Sequence, residues 1–246
     1  MALVILTTTT DTATTLSLNR PDRGNALGPE LVEQFTEAFD RALAGGARLV
    51  ILRGEGRHFC TGFDLTDLES LSDGDLLLRV VRIEALLQRI HAAPVSTMAI
   101  ASGRTFGAGA DLFAACDHRI ALTGASFAFP GPAFGLVLGT NRLTNLVGRD
   151  RARTMLLAGA EVPAAAALAA GLATATLDAE AVPAAIAAAA DAAARLDPQT
   201  VAALHRRTSR AEDDADLAAL VRSAARPGLK QRILDYRTAV AARRKS

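Results

Sequence analysis

The chain has 246 residues, enough for one substantial core with an appendage or for two small domains. Lys and Arg number 27 against 26 Asp and Glu, and a formal net charge of +1 carries no polyanion-binding signature, which argues against a nucleic-acid partner. Cys60 and Cys116 are far apart without metal-ligand spacing, and residues 1–11 lack a basic region or cleavage-like site, so a reduced, cytoplasmic protein without a secretory signal is expected.

Residues 13–18 read as a strand, followed by the turn Asn19-Arg20-Pro21-Asp22-Arg23-Gly24-Asn25. A helix starts near Pro29 and places Leu31, Val32, Phe35, Ala38, Phe39 and Leu43 at helical spacing until Gly45-Gly46 stops it. Leu49-Val50-Ile51-Leu52 is an apolar run suited to a buried strand. Phe59-Cys60-Thr61-Gly62-Phe63-Asp64-Leu65 is a small-residue turn entering a short helix over 65–71, with Asp64 as its N-cap. The logic repeats downstream. A helix over 76–90 and a strand over 95–101 lead to a second turn, Gly103-Arg104-Thr105-Phe106-Gly107-Ala108-Gly109-Ala110-Asp111-Leu112, which opens a helix over 107–115. Short strands follow at 120–122 and 127–129. Strand and helix alternating in this order give an α/β core with crossover connections.

After Leu177 the chain turns to Ala-rich helices, over 183–196, 199–207, 215–225 and about 229–242. Their apolar faces have no strand to cover, so they are expected to pack on one another, on the core or on another subunit. The apolar stretch 179–194 is broken by Glu180, Pro183 and Asp191, and no stretch reads as a membrane span.

The two turns carry the chemistry. Each brings bare backbone N–H groups close to where a ligand oxygen could sit, and two such turns converging would form a two-donor oxyanion hole from main-chain amides alone. With residues 18–27, with Asp117 behind Ala114-Ala115-Cys116, and with Gly135-Leu136-Val137 and Gly171-Leu172-Ala173, they make this chain resemble the crotonase superfamily, the enoyl-CoA hydratase/isomerase family, over roughly residues 13–176. The resemblance implies a crotonase-like spiral of ββα units (residues 1–196) with a C-terminal helical region (197–246) used for trimer assembly, as a homotrimer or a dimer of trimers. It implies an acyl-CoA thioester as substrate, with coenzyme A as part of that substrate and no separate cofactor or metal.

Carried over residue by residue, the oxyanion donors are the backbone amides of Phe63 and Ala108, and Arg23, Ala26, Thr61, Gly62, Asp64, Leu65, Gly107, Gly109 and Gly131 fall at substrate-contacting positions. Ala108 replaces the usual middle glycine, but a backbone donor needs no glycine. Hydratases of the family hold water between two glutamates. Here the first position is Asp111 and the second is Gly131, with no Asp or Glu between Asp117 and Asp150. Hydration of a 2-enoyl-CoA is the commonest family chemistry and is placed first. Double-bond isomerisation with Asp111 as sole proton shuttle is the alternative, and a non-catalytic acyl-CoA-binding protein the third reading. Cys60, His58, His91, His118 and His205 read as packed or solvated groups, Asp117 as a structural turn acid, and Asn141 as a minor candidate for orienting water. Arg20, Arg23 and Arg243-Arg244-Lys245 are the basic groups available for the coenzyme phosphates.

Overall fold

The structure, a computed structural model, describes residues 3–208 and 212–243. Strand β1 (Ile5–Thr9) runs antiparallel to β2 (Ala13–Leu18), pairing Ile5 with Leu18 and Thr9 with Thr14. β2 then lies parallel to β3 (Leu49–Gly54), β3 to β4 (Ser96–Ala101), β4 to β6 (His118–Leu122) and β6 to β9 (Ala175–Leu177), making one sheet in the order β1-β2-β3-β4-β6-β9. Helices α1 (Pro29–Ala44) and α2 (Asp73–His91) supply the first crossovers. A smaller sheet joins β5 (Arg104–Phe106), β7 (Ser126–Ala128) and β8 (Val162–Pro163).

The continuous apolar run at 49–52 is explained by burial on both faces of the sheet. Val50 and Leu52 point to a cluster with Phe35 and Phe39 of α1 and Leu86 and Leu87 of α2, whereas Leu49 and Ile51 face the opposite side. Helix α7 (Val182–Ala194) covers that second face with Ala189 and Ala193. This corrects the expectation that the Ala-rich helices have no strand to cover. Alanine is what the site demands, because a small side chain lets a helix approach a sheet already filled by Leu49, Ile51 and Met98.

Helix α2 starts three residues earlier than its apolar pattern suggests. Ser72 and Asp75 form a reciprocal cap, in which the Asp75 N–H donates to Ser72 Oγ at 3.1 Å and the Ser72 N–H to Asp75 Oδ2 at 2.9 Å. The helix expected over 65–71 is absent. Its place holds a 3-10 turn at Leu68–Ser70, and Asp64 accepts from the Thr66 N–H in a local turn while ion-pairing with Arg20 at 2.8 Å.

Helices α3 (Ala108–Ala114), α4 (Thr140–Val147), α5 (Arg149–Ala158) and α6 (Ala164–Ala170) follow the second turn. Helices α8 (Pro198–Thr208), α9 (Asp213–Ala224) and α10 (Leu229–Arg243) return to the body of the chain. Leu220, Ala224, Leu229 and Ile233 join Leu68, Leu76, Val80 and Leu136 in a third apolar cluster. The start of α10 is fixed by Asp73 of α2, whose carboxylate accepts from the N–H groups of Gly228 (2.9 Å), Leu229 (3.2 Å) and Lys230 (2.8 Å).

Candidate active site

The two turns meet. Cys60 bridges Thr105, and the Phe106 N–H donates to the Cys60 carbonyl at 3.0 Å. His58 adds a tie, its Nδ1 accepting from the Arg104 N–H at 3.0 Å, so it is not the free solvent-facing group expected from sequence. Gly62 has φ +94°, and a Cβ there would lie 2.6 Å from the Phe106 carbonyl oxygen and 3.3 Å from the Ala108 nitrogen. Only a glycine lets the turns approach this closely. Gly109 serves the same packing, pressed against the Cys60 carbonyl. Among the described residues neither the Phe63 nor the Ala108 N–H has a hydrogen-bond partner, whereas their neighbours do: Gly107 donates to the Ala128 carbonyl at 2.8 Å and Asp64 to that of Leu27 at 3.3 Å.

These amides border a cavity of about 280 Å³. Of the sequence-derived candidates, Thr61, Phe63, Leu65, Gly107, Ala108, Asp111 and Gly131 line it. Arg23, Ala26, Gly62, Asp64 and Gly109 do not. Arg23 is exposed, donating to Thr66 Oγ1 at 3.3 Å, and Ala26 is buried beneath Arg20. Arg20, a candidate for phosphate contact, is engaged by Asp64 instead. The Arg243 side chain and residues 244–245 lie outside the described residues.

The walls are apolar, from Val80 and Ile83 of α2, Leu136, Leu138 and Leu156 beyond Gly131, and Ile233, Tyr236 and Val240 of α10. The aromatic ring of Tyr236 packs on that of Phe134 with centroids 5.2 Å apart. Sequence reasoning missed the contribution of α10, since its apolar residues carry no motif. It also missed Arg104, which lines the cavity with its guanidinium over the Phe106 ring at 5.8 Å. Arg104 is a basic group inside the second turn itself, and that position was the available signal.

Asp111 sits in the first turn of α3, 4% exposed, and is the one acid lining the cavity among the described residues. Burial pushes its carboxyl up to about 8; Arg142 pulls the other way and Glu84 adds to the rise. Gly139, at φ +61°, leaves room for the carboxyl, because a Cβ there would lie 2.1 Å from Asp111 Oδ1. Asn141 is turned away from the cavity and hydrogen-bonds Asp216 of α9. Cys60 and Cys116 are buried thiols, Cys60 pushed up to about 12 by desolvation. His205, read as a solvated residue, instead joins α8 to the core through Asp117 at 3.2 Å and the Ala93 carbonyl at 2.7 Å. Asp117 also accepts from the Thr97 N–H and hydroxyl, at 2.8 and 2.9 Å.

A spiral α/β core with two turns meeting over one buried carboxyl defines a chain of the crotonase fold. It belongs to the enoyl-CoA hydratase/isomerase family, whose sequence model matches residues 8–226. It is similar to an enoyl-CoA hydratase/isomerase structure from Bordetella parapertussis, with 48% identity, a TM-score of 0.93 and coverage of 96% of this chain and 98% of that one. A second, from Xanthobacter autotrophicus Py2, is 29% identical with a TM-score of 0.81, covering 93% and 87%. Among curated relatives, the "Probable enoyl-CoA hydratase echA6" of Mycobacterium tuberculosis is 38% identical over 163 residues. That match spans 65% of this chain and 65% of the relative, just under two thirds of its length. No helix among the described residues is long and apolar enough to cross a membrane.

Proposed function

We propose that this chain is an acyl-CoA enzyme that shifts the double bond of an enoyl-CoA thioester. The thioester oxygen accepts hydrogen bonds from the Phe63 and Ala108 amides, which stabilise the enolate formed when a proton leaves C2. The observation that carries the reading is the presence of Asp111 as the one cavity acid among the described residues, with glycine at 131. As carboxylate, Asp111 takes the C2 proton of a 3-enoyl-CoA; the electron pair of that C–H bond forms the C2=C3 double bond, the C3=C4 pair becomes the new C4–H bond, and Asp111 returns its proton there. Nothing is gained or lost overall, so one carboxyl suffices. A group titrating near 8 both donates and accepts at neutral pH, which suits a shuttle. Coenzyme A enters as part of the substrate, and no further cofactor is invoked. Arg104 is the basic group best placed among cavity-lining residues to meet a coenzyme phosphate.

Hydration of a 2-enoyl-CoA is the second reading, favoured by the names of the relatives. It would need water held by Asp111 without a second carboxylate. A panel of 2- and 3-enoyl-CoA thioesters, followed by absorbance for both reactions, separates the two. We expect isomerisation of 3-enoyl substrates to exceed hydration and to fall at least 100-fold in Asp111→Asn. Faster hydration would overturn the order, turnover unchanged by the substitution would remove Asp111 from the mechanism, and turnover absent in both forms would leave an acyl-CoA-binding protein.

A further inference from the structure

Behind Asp111, away from the cavity, lies a buried ion pair. Arg142, on the first turn of α4 three residues after Gly139, places Nη1 2.9 Å from Glu84 Oε1 and Nη2 2.5 Å from Glu84 Oε2. The side chains are 3% and 1% exposed. Glu84 follows Ile83 on α2, so α2 lines the cavity with one residue and holds the pair with the next. Gln88, one turn on, donates to Glu84 Oε1 at 2.8 Å and to the Asp213 carbonyl at 2.9 Å, extending the layer to α9. Arg142 Nε is buried with no partner among the described residues.

Besides Glu84, the Arg142 charge acts on two further carboxyls, Asp111 on α3 and Asp216 on α9, and on His91 of α2. Glu84 takes both terminal nitrogens in a fork, the geometry in which a carboxylate best neutralises an arginine. Asp111 is left in an apolar pocket without a dedicated counter-ion. We propose that the Glu84–Arg142 pair is a positioning element for Asp111: by occupying Arg142, Glu84 keeps the cavity carboxyl able to hold and release a proton, while α4 sets the space the carboxyl occupies. Without Glu84, Arg142 would become the partner of Asp111 and fix it as a permanent carboxylate. Asp111 and Asp216 are both shifted upward, first by desolvation, with the Glu84 charge adding to the rise against the pull of Arg142.

The inference rests on the proton-shuttle reading of Asp111, and its test reads protonation directly as well as turnover. Infrared difference spectra of wild type against Asp111→Asn, taken across pH, follow the Asp111 carboxyl itself. Glu84→Gln keeps the shape and one acceptor for Arg142 but removes the competing charge. The Asp111 midpoint is expected to fall by at least one pH unit, a tenfold change in proton affinity, with the ascending limb of kcat moving to lower pH and KM within twofold. Adding Arg142→Gln to Glu84→Gln removes both charges, and the midpoint is expected to climb back above that of the single variant. A folded Glu84→Gln protein with the wild-type midpoint, or a double variant with the same lowered midpoint as the single one, would overturn the inference. Turnover unaffected by Asp111→Asn would instead overturn the shuttle reading and leave the titration result standing.

Discussion

At residue 62 the backbone adopts φ +94° and the neighbouring turn stands where a side chain would be. Gly62→Ala must push the Phe106 carbonyl and the Ala108 amide away, and with them one of the two proposed oxyanion donors. Losing one such donor costs ~3 kcal/mol in the transition state, so kcat is expected to fall by about 100-fold while substrate affinity changes little. Steady-state kinetics on the preferred thioester, beside a circular-dichroism melt, checks this; unaltered kcat in a folded variant would show that the turns do not set the donors. Asp111 gives a second test at this scale, one that needs no substrate. A carboxyl raised from 3.8 to about 8 keeps in the folded chain a proton that the unfolded chain releases between those values. Its contribution to stability is full below pH 3.8 and is lost as pH rises through 8, at up to about 1.4 kcal/mol per pH unit. Asp111→Asn removes the titration. The variant is expected to match wild type in Tm at pH 4 and to exceed it by about 5 °C or more at pH 9, and parallel Tm curves would contradict a raised carboxyl.

Among the elements, helices α8 and α10 are held by single polar groups whose roles follow from geometry. His205 has acceptors on both ring nitrogens, an arrangement satisfied in full only by the imidazolium. Its pKa is raised, first by the hydrogen bond to Asp117, so its contribution is present below pH 6.5 and lost as pH rises through the folded value. Asp117 is lowered despite burial, because His205 and Thr97 donate to it, and its share is lost as pH falls below 3.8. The tie is therefore strongest between those limits. For a partly exposed pair it is worth ~1 kcal/mol. Amide exchange in α8, corrected for intrinsic rates, is expected to speed up about fivefold from pH 6 to 8, and His205→Gln should remove that pH dependence. Asp73→Ala takes three backbone donors' acceptor from the start of α10, a loss of ~1 kcal/mol, and should raise KM because Ile233, Tyr236 and Val240 wall the cavity. A KM equal to wild type would separate α10 docking from substrate binding. These ties also show where sequence legibility ends. Strands at 13–18 and 49–52 and helix α1 were readable, because apolar periodicity and Gly45 are local signals. So were the two turns and Asp111. The short strands β5 and β8 carry almost no pattern of their own, and the roles of Asp73 and His205 depend on partners as many as 157 residues away.

For the whole molecule, the open quantity is assembly. The family resemblance implies a trimer or hexamer built with residues 197–246. Yet α10 already walls the chain's own cavity and α9 packs into the apolar cluster beside it, so their inward faces are not free to meet another subunit. On α5, Leu156 lines the cavity and Leu157, one residue on, is 83% exposed, the most exposed large apolar side chain among the described residues. A leucine this exposed on a helix with Ala152 as its buried residue is a feature that a subunit contact would cover. Sedimentation velocity is expected to give three or six times the 25.6 kDa chain mass. Leu157→Glu, which places a charge at that point without touching the cavity, is expected to shift the distribution toward the single chain while leaving the far-ultraviolet spectrum unchanged. A monomeric wild type would remove the assembly expectation altogether. A Leu157→Glu protein that stays fully assembled would place the contact elsewhere, with the outward faces of α8 and α9 the next surfaces to substitute.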